Sequence, residues 1–152
     1  VTRAIPLLEQ ALEREPDTTE AQYRLGIAYL DRQRNEEAAA LLEKVHKASP
    51  AYDYGSAYLR LAEAQTRLGN FDRAREIYQA MLKFYPGQPE CCYQLGLLLA
   101  QDGQQESAVK MMREVIFTLR HSPRFQRRRN GHWGLKARWW LWRHGRSGPK
   151  VN

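Results

Sequence analysis

The chain has 152 residues, 43% of them hydrophobic, and a formal net charge of +7. This length and apolar content are sufficient for one domain with its own core. The sequence contains neither a signal-peptide pattern nor a run of about 18 apolar residues, so it predicts no membrane-spanning helix. Its two cysteines, Cys91 and Cys92, are adjacent, which argues against a disulfide framework or a CxxC site and indicates a reducing compartment.

The charge is unevenly distributed along the chain. Residues 122–152 hold nine Lys and Arg and no Asp or Glu, whereas residues 1–121 hold 15 basic and 17 acidic residues. The C-terminal region therefore carries +9 and the rest of the chain −2.

Apolar residues recur with helical spacing over the first 120 residues, and no segment alternates with a period of two. The predicted helices cover residues 1–14, 19–32, 36–48, 55–68, 72–84, 89–102 and 105–120. Gly69-Asn70 and Gly103-Gln104 predict turns after two of them. The first such turn, Gln33-Arg34-Asn35, has no glycine and is expected to be looser. Three prolines bound the second helix of each pair: Pro50, Pro86 and Pro123.

The pattern repeats itself at a nearly constant interval. One set of residues, Ala4-Leu8-Ala11-Pro16, recurs as Ala38-Leu42-Val45-Pro50, as Ala74-Tyr78-Met81-Pro86 and as Ala108-Met112-Val115, in steps of 34, 36 and 34 residues. A second set keeps the same interval: Leu25-Gly26, Leu61-Ala62 and Leu95-Gly96. These residues resemble the tetratricopeptide repeat family, whose first helix carries Leu-Gly and whose second carries Ala and a large apolar residue before Pro. The family's aromatic position before Leu-Gly departs from the pattern in two repeats, since it holds Gln22, Tyr58 and Cys92.

The resemblance implies an all-α fold, a right-handed superhelical solenoid of antiparallel helix pairs over residues 1–120. Residues 1–16 are expected to form the second helix of a truncated repeat, and residues 19–54, 55–88 and 89–122 three full repeats. Residues 123–144 would form a basic, Trp-rich helix or tail, and residues 145–152 a disordered terminus. Because the pattern starts within a repeat at Val1, we expect a fragment of a larger protein.

The 36-residue step places two extra residues within Ala51–Ser56. They predict a loop, Ala51-Tyr52-Asp53-Tyr54-Gly55-Ser56, that bulges from the repeat. One interpretation is a longer turn without a function, and the other is a loop that contacts a partner.

The resemblance also implies a binding surface, because the first helices of such repeats line a concave groove. The positions that face this groove are predicted to form a largely apolar, peptide-binding surface: Tyr23, Ile27, Leu30, Leu59, Glu63, Tyr93 and Leu97. We expect the ligand to be an amphipathic helix or an apolar peptide. Alternatively, these residues pack against the tail, against preceding repeats or against a second copy. A clamp for a C-terminal carboxylate, which chaperone-binding members build from Lys, Arg and Asn, is not expected here.

All four tryptophans lie in the basic tail. On a helix from about Leu135 to His144, Leu135, Trp139 and Trp142 share one side, and Trp133, Ala137 and Trp140 the opposite side. The tail is predicted to act through nine residues: Arg127, Arg128, Arg129, Trp133, Arg138, Trp139, Trp140, Trp142 and Arg143.

Several roles remain open for this tail. It could close the last repeat as a capping helix, bind a membrane surface, bind nucleic acid or mediate self-association. The membrane role is weakened by the absence of a single clean apolar face.

No sequence feature predicts chemistry. The four histidines lack a metal-ligand spacing, and neither a phosphate-binding glycine loop nor a nucleophile elbow occurs. We predict a protein-interaction scaffold without catalytic residues, metal or cofactor. Cys92 is expected to be buried and Cys91 to lie nearer the surface. The expected localisation is cytoplasmic, with membrane association as the alternative, and the expected partner is a protein or peptide, with a homo-oligomer as the further possibility.

Overall fold

The computed structural model describes residues 4–145, and every regular element in this range is helical. The α-helices are α1 (Ala4–Arg14), α2 (Thr19–Asp31), α3 (Asn35–Ala48), α4 (Ser56–Arg67), α5 (Phe71–Phe84), α6 (Pro89–Gln101), α7 (Gln105–His121) and α8 (Arg124–His144). A 3₁₀ turn, Tyr52–Gly55, precedes α4. The predicted all-α architecture of paired helices is confirmed, whereas residues 1–3 and the predicted terminus from 146 onwards lie outside the described residues.

The contacts divide the chain into two compact units, and the division falls between Ile77 and Tyr78, inside α5. We call the residues up to Ile77 the first unit and those from Tyr78 the second unit. In the first unit α2 packs against α1, α3 and α4, and in the second unit α6, α7 and α8 pack against one another. No helix within residues 4–145 has the length and apolarity needed to cross a bilayer.

Small residues set the helix spacing of the first unit. A Cβ atom on Gly26 of α2 would lie 2.9 Å from Cγ of Leu42 on α3, so only glycine permits this approach. Leu42 and Ala38 are fully buried behind it. Burial of a leucine side chain contributes about 1.5–3 kcal/mol, so this close approach stabilises the pair of α2 and α3.

The second unit contains two such close approaches of a glycine to a neighbouring helix. A Cβ atom on Gly96 of α6 would lie 2.9 Å from Cε of Met112 on α7. Gly134 of α8 approaches α7 equally closely, because its Cβ would lie 2.9 Å from Cδ1 of Leu119. The tail helix thus joins the core of the second unit through a glycine contact, as the repeat helices do. It spans Arg124–His144, in agreement with the helix predicted for residues 123–144.

The turns after α2, α4 and α6 have the same construction. Gln33, Gly69 and Gly103 adopt φ angles of 60°, 80° and 76°. In each turn the next N–H donates to a carbonyl five residues earlier, for example Arg34 N–H to the Tyr29 carbonyl oxygen at 2.9 Å. The expectation of a looser first turn is wrong, since Gln33 takes the left-handed conformation despite its side chain.

Candidate functional site

The predicted groove residues of the first unit lie on α2 and α4. Tyr23 and Ile27 on α2, and Leu59 and Glu63 on α4, are all half-buried. Ile27 also lines an apolar cleft of about 530 Å³ between α1 and α2, together with Leu7 and Leu8. The first unit therefore presents apolar side chains that the packing between helices does not fully enclose.

Leu30 does not belong to this accessible surface, contrary to the prediction. Its side chain is only 3% exposed. The reason is the position of α4, whose Arg67 donates from Nη1 to the Leu30 carbonyl oxygen at 2.6 Å. The C-terminal end of α2 is thus covered by α4, and Leu30 contributes to the core.

The insertion folds back onto α2. The ring centroids of Tyr52 and Tyr23 are 4.9 Å apart, and the Tyr52 hydroxyl donates a hydrogen bond to the Glu20 carboxylate. Burial raises the pKa of Tyr52 to about 12, and the bond to Glu20 adds to the rise. The same hydrogen bond, reinforced by Arg24, lowers the pKa of Glu20. The segment is therefore part of the surface next to Tyr23 rather than a free loop.

Three consecutive left-handed residues shape this insertion. Asp53, Tyr54 and Gly55 have φ angles of 45°, 54° and 85°, a conformation that is unfavourable for the first two. Ser56 stabilises the turn, because its Oγ donates to the Asp53 carbonyl oxygen at 2.7 Å. As a result, Tyr52 points onto α2, whereas the Tyr54 side chain is 83% exposed.

The charged residues around these helices are paired with one another. Glu63 binds Arg60 on the same helix and Arg67 at 2.6 Å, and Glu20 binds Arg24. Because these carboxylates neutralise the arginines, Tyr23, Ile27 and Leu59 are surrounded by little uncompensated charge. The arrangement suits an apolar or amphipathic ligand better than a strongly charged one.

In the second unit, the predicted groove residue Tyr93 of α6 contacts the tail helix. Its ring centroid lies 5.3 Å from that of Trp133 on α8. Lys136 Nζ lies 4.4 Å from the Trp133 ring and 6.0 Å from the Tyr93 ring. The alternative in which groove residues pack against the tail therefore describes Tyr93, and Leu97 is half-buried.

The helix α8 has one buried and one exposed apolar face. Gly134, Ala137 and Trp140 are buried, and the Trp140 ring stacks on His144 with centroids 4.7 Å apart. The opposite face exposes a tryptophan ridge, which we define as Leu135, Trp139 and Trp142, with exposed fractions of 68%, 55% and 70%. Trp140 was predicted as a surface-binding residue, and this is wrong because it is only 5% exposed.

The predicted basic residues of the tail are all exposed: Arg127, Arg128, Arg129, Arg138 and Arg143. Between α7 and α8 an arginine cleft of about 360 Å³ is lined by Arg120, Arg127 and Arg138 and by Ile116, Leu119 and Leu135. Arg120 and Ile116 were not among the predicted site residues. The only sequence signal for these two residues is that they lie four positions apart in the last turns of α7.

The adjacent cysteines are both buried, so the expectation that Cys91 lies nearer the surface is wrong. The Cys91 thiol donates to the Tyr78 carbonyl oxygen at 3.5 Å. Burial raises the pKa of both thiols, that of Cys92 to about 12. The thiols are therefore protonated and unreactive at neutral pH.

Solved structures share this fold. The chain is 24% identical to MamA RS-1, an ArsTM double mutant, covering 78% of this chain and 66% of that one with a TM-score of 0.73. It is 26% identical to MamA AMB-1, covering 83% of this chain and 68% of that one with a TM-score of 0.72. The chain spans about two thirds of the length of these MamA chains, at 66% and 68%.

The type III secretion translocator chaperone SycD of Yersinia enterocolitica is similar in fold alone, at 17% identity, with 81% of this chain and 93% of that one covered and a TM-score of 0.65. No curated protein matches the chain in sequence. Three tetratricopeptide repeat models match residues 1–53, 30–91 and 89–116. The resemblance seen in the repeated Leu-Gly and Ala positions is thus confirmed, and the chain belongs to the tetratricopeptide repeat family.

Proposed function

We propose that the protein is an interaction scaffold whose first unit binds an apolar or amphipathic peptide segment. The observation that supports this most strongly is the set of half-buried apolar side chains on α2 and α4, Tyr23, Ile27 and Leu59. Half-buried tyrosine and aliphatic side chains provide contact area at a small additional cost in side-chain entropy, because neighbouring helices already restrict them.

The cleft between α1 and α2 gives this surface depth. Leu7, Leu8 and Ile27 line it, together with Arg24 and Asp31. One apolar face of a bound helix fits such a cleft, while the two charged side chains can pair with the polar side of the ligand. We therefore expect ligands with apolar residues at positions i, i+3, i+4 and i+7.

The insertion would form one border of the binding surface. Tyr52 is fixed against Tyr23, and the neighbouring Tyr54 is exposed and held in place by the left-handed turn. An exposed tyrosine whose backbone is already ordered loses only side-chain entropy on binding. Tyr54 is therefore expected to add a contact at the edge of the ligand rather than at its centre.

Selection of peptides from a displayed library on the whole chain tests this function. We expect the selected peptides to share the helical apolar spacing, and their affinity to fall about tenfold or more in Tyr23→Ala, Leu59→Ala, since truncation of buried aromatic anchors typically has this effect. The matched control is Phe84→Ala, which removes a phenylalanine that is 69% exposed on α5. Peptides that bind the double variant as tightly as the native chain would exclude this surface.

A further inference from the structure

The outer face of α8 differs from every other exposed surface described above. The tryptophan ridge follows the spacing i, i+4, i+7, so its three side chains lie on one side of the helix within about 60° of arc. The second apolar face, which includes Trp140, is buried against the rest of the unit. The sequence argued against a membrane role because α8 has two apolar faces. Burial of one of them leaves α8 with a single apolar face exposed to solvent.

Basic residues border this ridge without acidic neighbours on the helix. The sequence of α8 contains seven Arg and Lys and no Asp or Glu. Among residues 4–145 none of these seven forms an ion pair, whereas the arginines of α2 and α4 pair with carboxylates. The guanidinium of Arg143 lies 5.5 Å from the Trp139 ring centroid, so positive charge is adjacent to the apolar ridge.

The arginine cleft continues the ridge, because Leu135 belongs to both. Arg120 comes from α7, and Arg127 and Arg138 come from α8, so guanidinium groups from two helices surround one apolar hollow. Guanidinium groups bind phosphate oxygens through paired N–H donors. An apolar wall beside three such groups matches a ligand that combines a phosphate with hydrocarbon.

We propose that the outer face of α8 docks on the surface of an anionic lipid bilayer. The tryptophan ridge lies at the boundary between headgroups and acyl chains, where tryptophan side chains are favoured. Arg120, Arg127 and Arg138 bind headgroup phosphates in the arginine cleft. The helix, about 30 Å long, lies in the plane of the surface and does not span it.

Two other occupants explain the observations less well. Nucleic acid would use the arginines, but it gives no role to Leu135, which joins the ridge to the cleft, or to the apolar wall of the cleft. A second copy that presented the same face would bring two helices of strongly positive charge together, which costs binding energy. The combination of apolar ridge and unpaired arginines favours lipid.

Co-sedimentation of the whole chain with vesicles tests the proposal. We expect binding to vesicles of equal parts phosphatidylcholine and phosphatidylglycerol, weak binding to phosphatidylcholine alone, and weaker binding as salt rises from about 0.1 M to about 0.5 M. Excess glycerol 3-phosphate should not displace the chain, because a free headgroup lacks the acyl boundary. Quenching of tryptophan fluorescence by spin-labelled lipid provides a readout that requires no variant.

Two double variants separate the parts of the site. Trp139→Ala, Trp142→Ala should lower partitioning about tenfold, and Arg127→Gln, Arg138→Gln about twentyfold, because each basic residue near the surface contributes about fivefold. The matched control is Lys83→Gln, Lys110→Gln, which removes the same charge from exposed positions of α5 and α7 that do not line the arginine cleft and should change partitioning less than about twofold. All altered side chains are exposed, so the far-UV circular dichroism should stay unchanged.

Three results would overturn the proposal. The first is an absence of binding to the anionic vesicles. The second is evidence of a polyanion surface, given either by vesicle binding that the loss of both tryptophans leaves unchanged or by an equally strong, arginine-dependent binding of oligothymidylate. The third is a dimer in light scattering, without vesicles, that Trp139→Ala, Trp142→Ala converts to a monomer, since a second copy would then cover the ridge.

Discussion

The two units of the chain balance their charges in different ways. Residues up to 77 contain 11 basic and 13 acidic residues, and the ion pairs of Arg24, Arg34, Arg60 and Arg67 are made within the unit. Residues from 78 onwards contain 13 basic and four acidic residues. In the described part of that unit, the basic residues of α8 lack carboxylate partners. The two units, which are of the same repeat type, thus pack their helices in the same way but differ in how far their surface charges are paired.

The packing of the helices, and not the surface charge, is the structural feature that the two units have in common. Both units bring helices together at a glycine against a large apolar side chain, Gly26 against Leu42 and Gly96 against Met112. Exposed ion pairs contribute little to stability, about 0–1 kcal/mol each, so their absence in the second unit costs the fold little. The surface charge is therefore free to differ between the units, and the unpaired arginines of α8 are available for a ligand.

The largest effect on stability is expected at two tryptophans of α8 with opposite roles, the buried Trp140 and the exposed Trp142. Trp140→Ala should lower the free energy of unfolding by about 3–5 kcal/mol, because it removes a buried aromatic side chain. Trp142→Ala should change it by less than about 0.5 kcal/mol, because that side chain is 70% exposed. Urea unfolding followed by circular dichroism measures both. Equal effects would mean that the second unit does not reserve one face of α8 for its core.

In the first unit, a smaller effect on the free energy of unfolding is expected from the hydrogen bond between Tyr52 and Glu20. Tyr52→Phe removes the hydrogen bond to Glu20 and should cost about 1 kcal/mol at neutral pH. Because the pKa of Tyr52 is raised from 10.0 to about 12, this contribution is complete below pH 10 and disappears as the pH rises through 12. The difference in unfolding free energy between Tyr52→Phe and the native chain should therefore fall to zero as the pH rises from 10 to 12.

Tyr54→Phe is the control, since its side chain is 83% exposed. A difference between Tyr52→Phe and the native chain that stays constant up to pH 12 would contradict this assignment.

The smallest effect should come from the turns, which both units build alike. Gln33→Gly should stabilise the protein by about 0.5 kcal/mol, because glycine adopts the left-handed conformation without steric cost but loses more entropy on folding. Gly69→Ala at φ +80° should instead destabilise it. Thermal unfolding of both variants provides the measurement. Destabilisation by Gln33→Gly would show that the glutamine side chain makes a contribution that the backbone does not reveal.

The repeat and the helix boundaries were predictable because they depend on residues that are close in sequence. Leu30 was misassigned because its burial depends on where α4 crosses α2, which no local pattern encodes. The docking of Tyr52 was not predicted, since it follows from three successive left-handed residues and only Gly55 signals one of them. Both tryptophan faces of α8 are apolar, so packing against α7 had to decide which is buried.

The buried position of the two native thiols has a practical consequence. Cys91 and Cys92 are shielded by packing in the second unit, so a thiol reagent reaches them only when the helices around α6 separate. The rate of their labelling in the native chain therefore reports how often this unit opens. A cysteine introduced on the exposed ridge or at Tyr54 would react far faster than either, so a fluorophore can be attached at one chosen surface without replacing Cys91 or Cys92.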